Sequence, residues 1–115
     1  MARLDPDAAD QLPFGFNRLD SEGRIIAYNI KESALSGLPR VGVLGNSFFR
    51  TIAPCTCVDE FEGTLKRMIA TGKAEREQIE FLFKFKQRAI MVNIAMTTDP
   101  ATGYATLLIR KMKED

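Results

Sequence analysis

The run from Phe14 to Leu19 alternates apolar and polar positions, which predicts a half-buried strand. Asp20-Ser21-Glu22-Gly23 is a turn signal, and Arg24 to Asn29 reads as the returning strand of a hairpin. Asn29 can cap a short helix over Ile30 to Leu35 that Gly37 and Pro39 terminate. Val41 to Gly45 reads as an apolar loop, and Asn46 or Ser47 as the start of a further helical turn through Phe49. The longest helical pattern opens at Asp59-Glu60-Phe61. Phe61, Leu65, Met68 and Ile69 recur there at helical spacing until Gly72 stops the run.

The final third has the other period. Ile79, Phe81, Phe83 and Phe85 alternate with Glu80, Leu82, Lys84 and Lys86, a long period-2 run. Ala89 to Thr98 is a second strand, Asp99 to Gly103 a turn, and Tyr104 to Lys111 the last strand. Before the first strand lie about a dozen polar, proline-containing residues (1–13), with one helical turn over Asp7 to Leu12. Two strands, then helices, then three strands predict an α+β domain over residues 14–115: a five-stranded antiparallel sheet with helices on one face.

At 115 residues the chain is long enough to bury one core and too short for two. A formal charge of +1 points to no nucleic-acid partner. No apolar run is long enough for a membrane span. The beginning Met1-Ala2-Arg3-Leu4-Asp5-Pro6 lacks a signal-peptide core, so the cytoplasm is the expected compartment. Histidine is absent, which removes Ser-His-Asp and Cys-His catalysis and argues against an enzyme. Cys55 and Cys57 supply two of the four ligands a zinc site needs, and no metal is expected. A disulfide between them would close a ring of poor geometry.

Chemistry concentrates in three places. Cys55 follows a proline and the run Phe48-Phe49-Arg50-Thr51-Ile52-Ala53. A lone cysteine there is either a small buried hydrophobe or a thiol that carries an acyl group. Permanent acylation needs no histidine base during the working life of the protein, unlike turnover. Tyr28 ends the second strand and Glu32 lies four residues on, so both can face one pocket if the chain between is helical. Each alone reads more simply, Tyr28 as a core or rim aromatic and Glu32 as a solvated acid. Together a tyrosine O–H and a carboxylic acid kept neutral by burial can hold a buried phenolate.

These segments resemble the photoactive yellow proteins, a branch of the PAS-domain family. The likeness runs from about Phe14 to Arg110. It is tightest at Tyr28-Asn29, at Gly37, and from Phe48-Phe49 through Ala53-Pro54-Cys55-Thr56 to Glu60-Phe61. It implies a PAS fold and a p-coumaroyl chromophore (from p-coumaric acid, 4-hydroxycinnamic acid) held as a thioester on Cys55. By the resemblance Tyr28 and Glu32 hydrogen-bond the chromophore phenolate. Ser36 stands where the family has a threonine that supports the tyrosine, and Phe48 and Phe83 match aromatic positions near the pocket. Leu38 replaces the family's pocket-covering arginine, with Arg40 two residues further on. Gln87 falls where the family's prototype has a methionine that speeds thermal recovery, which implies a slower or altered photocycle. Cys57 has no counterpart and reads as incidental.

The resemblance therefore implies a blue-light photoreceptor that signals by photoisomerisation and proton transfer from Glu32 to an unknown downstream protein. Two other readings stay open: a chromophore-free PAS module for binding or dimerisation, and a small acyl-carrying protein. The family's prototype has a longer N-terminal cap over its sheet. A shorter one leaves the outer sheet face, with Leu82 and Leu108, partly uncovered, and a weak homodimer through that face is expected.

Overall fold

The computed structural model of the chain describes residues 8, 10–84 and 89–114, of which 40, 113 and 114 by backbone only. Five strands form one antiparallel sheet: β1 (Gly15–Leu19), β2 (Ile25–Tyr28), β3 (Arg76–Lys84), β4 (Ala89–Asp99) and β5 (Tyr104–Glu114). Their spatial order is β2-β1-β5-β4-β3, so β1 lies inside the sheet although it comes first in sequence. This is the five-stranded antiparallel sheet with helices expected from the order of periods, and it fits the PAS fold that the resemblance implies. Phe85 to Arg88, and with them the Gln87 position, lie outside the described residues.

β1 departs from its half-buried expectation: it lies inside the sheet, and α1 (Ile30–Ser36) packs on the face that carries Gly15 and Asn17. Phe16 and Asn17 are both buried, and Arg18 stands over the Phe16 ring at 5.3 Å. Asn29 caps α1 (Ile30–Ser36) as expected, its Oδ1 accepting from Glu32 N at 2.9 Å. The same Oδ1 accepts from Phe16 N at 2.9 Å, and Nδ2 donates to Phe14 O at 3.0 Å. One buried side chain thus ties the helix start to the edge of β1. Gly37 ends α1 with φ 78°, the left-handed conformation that glycine adopts without strain.

The stretch read as a loop after Pro39 contains a short helix, α2 (Arg40–Val43), because Val43 must reach the core and is fully buried. Ser47 does start a helical turn, its Oγ accepting from Arg50 N at 3.2 Å, but the turn is π-helical and extends over Phe48–Ile52. A 3₁₀ turn follows over Pro54–Thr56. The long helix expected from Asp59 is split into a π-helical turn, Asp59–Gly63, and α3 (Thr64–Ala70). The wider turn changes the phase of the apolar stripe. Phe61, Leu65 and Met68 are buried, whereas Ile69, expected in the stripe, is 48% exposed.

The core lies between these short helices and one sheet face. Phe61 is its hub, meeting Phe49 edge-on at 5.2 Å and Phe81 at 5.4 Å, with Phe48 at 5.8 Å. Aromatic pairs of this kind add about 1 kcal/mol each beyond the area they bury. Ile90, Val92, Ile94 and Met96 from β4 and Leu107 and Ile109 from β5 supply the sheet side. On the opposite face Leu82 pairs across strands with Met91, and both remain more than a third exposed; Leu108 is half-buried. Among the described residues, no helix is long and apolar enough to cross a membrane.

Candidate functional site

α1 carries Glu32 and Ser36 one turn apart, so both side chains emerge on the side facing β1 and the Phe48–Thr56 segment. The 3₁₀ turn begins with Pro54, whose fixed φ suits a first helical position, and it presents Cys55 toward the same space. The result is a cavity of about 130 Å³ lined by Glu32, Ser36, Phe48, Ile52, Ala53, Pro54, Cys55, Phe83 and Lys84. Five of the residues singled out in the sequence (Glu32, Ser36, Phe48, Cys55 and Phe83) therefore share one cavity. Tyr28 does not line it. Its ring is in the core and its hydroxyl is hydrogen-bonded to Ser36 Oγ, with Glu32 O at 3.5 Å.

Electrostatics divide the polar groups into two kinds. Burial pushes the Tyr28 phenol up to about 12; the Ser36 hydrogen bond opposes the rise and the neighbouring Glu32 adds to it. Tyr28 is thus an O–H donor throughout the physiological range. Glu32 is 4% exposed, against the simple expectation of a solvated acid. Burial raises its carboxyl to about 7, with the Asn17 amide pulling in the opposite direction. Among the described residues, Glu32 Oε1, Asn17 Nδ2 and Asn17 Oδ1 are all buried without a partner at full hydrogen-bond geometry. The site holds an acid poised near neutrality with an unused acceptor.

Two supporting residues were not visible as such in the sequence. A Cβ built on Gly15 would overlap Glu32 Oε1 and lie 3.3 Å from Ile109 O, so glycine is what lets the carboxyl lie against β1. A glycine inside an apolar strand is the available signal for such a close approach. Asn17 is the second, hidden because an alternating strand suggests that its polar positions meet water. Leu38 packs against the core, while the Arg40 side chain lies outside the described residues. Cys55 and Cys57 are free thiols. Cys57, read as incidental, contacts the Arg50 guanidinium and lies 3.3 Å from Glu62 Oε1, on an ion-paired edge away from the cavity lining.

Comparisons with known proteins bear on the fold and the family. The family model described as PAS fold matches residues 9–111. Photoactive yellow protein from Rhodothalassium salexigens is 35% identical over 96 residues, 84% of this chain and 76% of that protein. The protein of the same name from Rhodobacter capsulatus is 32% identical over 107 residues, 93% of this chain and 86% of that one. The crystal structure of the photoactive yellow protein domain of the sensor histidine kinase Ppr from Rhodospirillum centenum superposes with a TM-score of 0.87 at 31% identity, covering 93% of each chain. The PAS domain of the Cronobacter turicensis receptor RpfR shares the fold alone, with a TM-score of 0.70 at 13% identity. This chain belongs to the photoactive yellow protein family of PAS-fold sensor domains.

Proposed function

We propose that residues 14–115 form a blue-light sensor domain that carries a p-coumaroyl group as a thioester on Cys55 and signals through proton release from Glu32. The observation that carries this reading is the single cavity with the Cys55 thiol in its lining and the buried Glu32 carboxyl, its Oε1 unpartnered, in the same lining. That donor set suits the group. A phenolate buried away from water needs hydrogen-bond donors to offset desolvation, and a neutral carboxylic acid is one. The aromatic walls Phe48 and Phe83 suit a planar ring.

When bound, the p-coumaroyl group supplies visible absorption and a double bond that isomerises in light. The chain supplies everything else. Cys55 Sγ anchors the acyl end, and Pro54 and the 3₁₀ turn fix the direction of its bond. Glu32 would hold its proton in the dark and, after illumination, pass it to the phenolate oxygen of the bound group. Tyr28 keeps its own proton, and its hydroxyl, bonded to Ser36, supports the Ser36 side of the cavity from behind the lining. A carboxylate left in an apolar cavity is strongly destabilising, and loosening of α1 against β1 is the local response.

The signal passes to a downstream protein, as the presence of such a domain in a sensor histidine kinase suggests. The outer sheet face with Leu82 and Leu108, where Met91 pairs with Leu82, is the surface proposed for weak self-association, and sedimentation at increasing concentration reads it directly. The test of the site is chemical. Incubation with activated p-coumaric acid should add one hydroxycinnamoyl group to the wild-type chain, read by intact mass, and none to Cys55→Ala. Equal labelling of the two proteins, or none of either, refutes the assignment and favours a PAS module without chromophore.

A further inference from the structure

Asn17 is fully buried on β1, and both polar atoms of its side chain lack a hydrogen-bond partner among the described residues. An amide in that state is costly, on the order of 1–3 kcal/mol for each group left unsatisfied. A leucine or valine would suit the strand better. The neighbouring Glu32 is in the same condition: buried, with Oε1 unpartnered. Gly15, two residues before Asn17 on the same face of β1, keeps the strand bare so that the carboxyl can approach. The carboxyl thus occupies the place that Gly15 leaves free, with the Asn17 amide as its polar neighbour on the same strand face.

We propose that Asn17 is a positioning residue for Glu32: its amide N–H closes a hydrogen bond on the carboxylate when the acid ionises, so that proton loss from Glu32 is favoured. This deepens the photoreceptor reading, on which its role in signalling rests. The neutral acid has little need of a donor at Oε1. The ionised carboxylate has a strong one, because hydrogen bonds to charged acceptors are about twice as strong as neutral ones. Among the described residues, no other group around the carboxyl fills this place. Tyr28 is committed to Ser36, and its nearer contact on Glu32 is the backbone carbonyl. Cys55 and Lys84 line the same cavity, Lys84 as an exposed residue, and neither is a hydrogen-bond partner of Glu32 Oε1. From β5 the facing residues Leu107 and Ile109 are apolar.

The test uses the chain without chromophore, so it is independent of whether Cys55 can be acylated. The side-chain carboxyl carbon of Glu32 is followed by ¹³C NMR through a pH titration in wild type, Asn17→Val and Asn17→Thr. Valine and threonine have nearly the same shape, and only threonine keeps a donor. Asn17→Val should hold the Glu32 proton about tenfold more tightly than wild type, with Asn17→Thr in between. In the wild type itself, the Asn17 side-chain amide resonances should move with the same midpoint as the Glu32 carbon. An unchanged midpoint in Asn17→Val, or equal shifts in the two variants, overturns the proposal. Should Asn17→Val fail to fold, Asn17 amide signals that ignore the Glu32 midpoint overturn it equally well. Failure of p-coumaroyl loading would instead sink the photoreceptor reading and leave this coupling standing.

Discussion

Replacing Glu32 by glutamine should remove most of a pH dependence from the stability of the chromophore-free chain. The carboxyl titrates ordinarily at 4.5 and is raised by burial to about 7 in the folded state. The folded chain therefore holds the Glu32 proton more tightly than the unfolded chain does. Below the unfolded value both states carry the proton and the carboxyl adds no pH-dependent cost. Between 4.5 and about 7 the unfolded state ionises first, so stability falls as pH rises, and above that window the full penalty is present. Each unit is 1.36 kcal/mol, so the interval corresponds to about 3 kcal/mol. For a domain whose whole stability lies near 5–15 kcal/mol, that is a large fraction. Urea denaturation of wild type and Glu32→Gln at about pH 5 and about pH 8 reads the difference directly. The variant should gain on wild type by about 2–3 kcal/mol between the two conditions. Parallel stability profiles would mean that the Glu32 carboxyl is not held as an acid in the folded chain, and the reasoning about its role would fall with it.

Other expectations follow from single contacts. Asn29→Ala should cost about 2–3 kcal/mol in urea denaturation, since it removes the α1 cap together with the bonds to Phe16 N and Phe14 O. A loss below 0.5 kcal/mol would show that water replaces these bonds freely. Phe61→Ala should cost about 3–5 kcal/mol, because the ring is fully buried and joins the helical segment to β3. Thermal unfolding at the wild-type temperature would contradict its placement as the hub. Gly15→Ala should displace the Glu32 carboxyl at a cost of about 1–3 kcal/mol and move the Glu32 titration midpoint, as read by ¹³C NMR. An unmoved midpoint would show that the carboxyl does not rest on that strand.

Much of the fold is legible in the sequence because periodicity and punctuation agree. The Ile79–Phe83 alternation, the Asn29 cap and the glycine after α1 each have one physical meaning, and each sits where that meaning requires. What periodicity cannot supply is which face a neighbouring element covers. Asn17 reads as a solvent-facing position until α1 is known to pack on that face of β1, and only then does its burial follow. The π-helical turns at Phe48–Ile52 and Asp59–Gly63 also have no local marker, which is why the helix after Asp59 was expected to run unbroken and Ile69 to face inward. For the site, the spacing of Tyr28 and Glu32 foretells their nearness. It does not foretell that Tyr28 would sit behind Ser36 while Glu32 enters the cavity, since that depends on the tilt of α1 against β1. Gly15 was open to notice, as a glycine within an apolar strand, but nothing in the sequence names the acid it makes room for.

The most direct test of the central claim is the visible spectrum of the chain after reaction with activated p-coumaric acid, recorded in the dark, under blue light and again in the dark. A visible band displaced from that of the free thioester, bleached by blue light and restored in darkness, is the predicted result. A loaded chain with no displaced band, or with a band that light leaves unchanged, would contradict a pocket built by Cys55 and Glu32 to hold a light-driven phenolate.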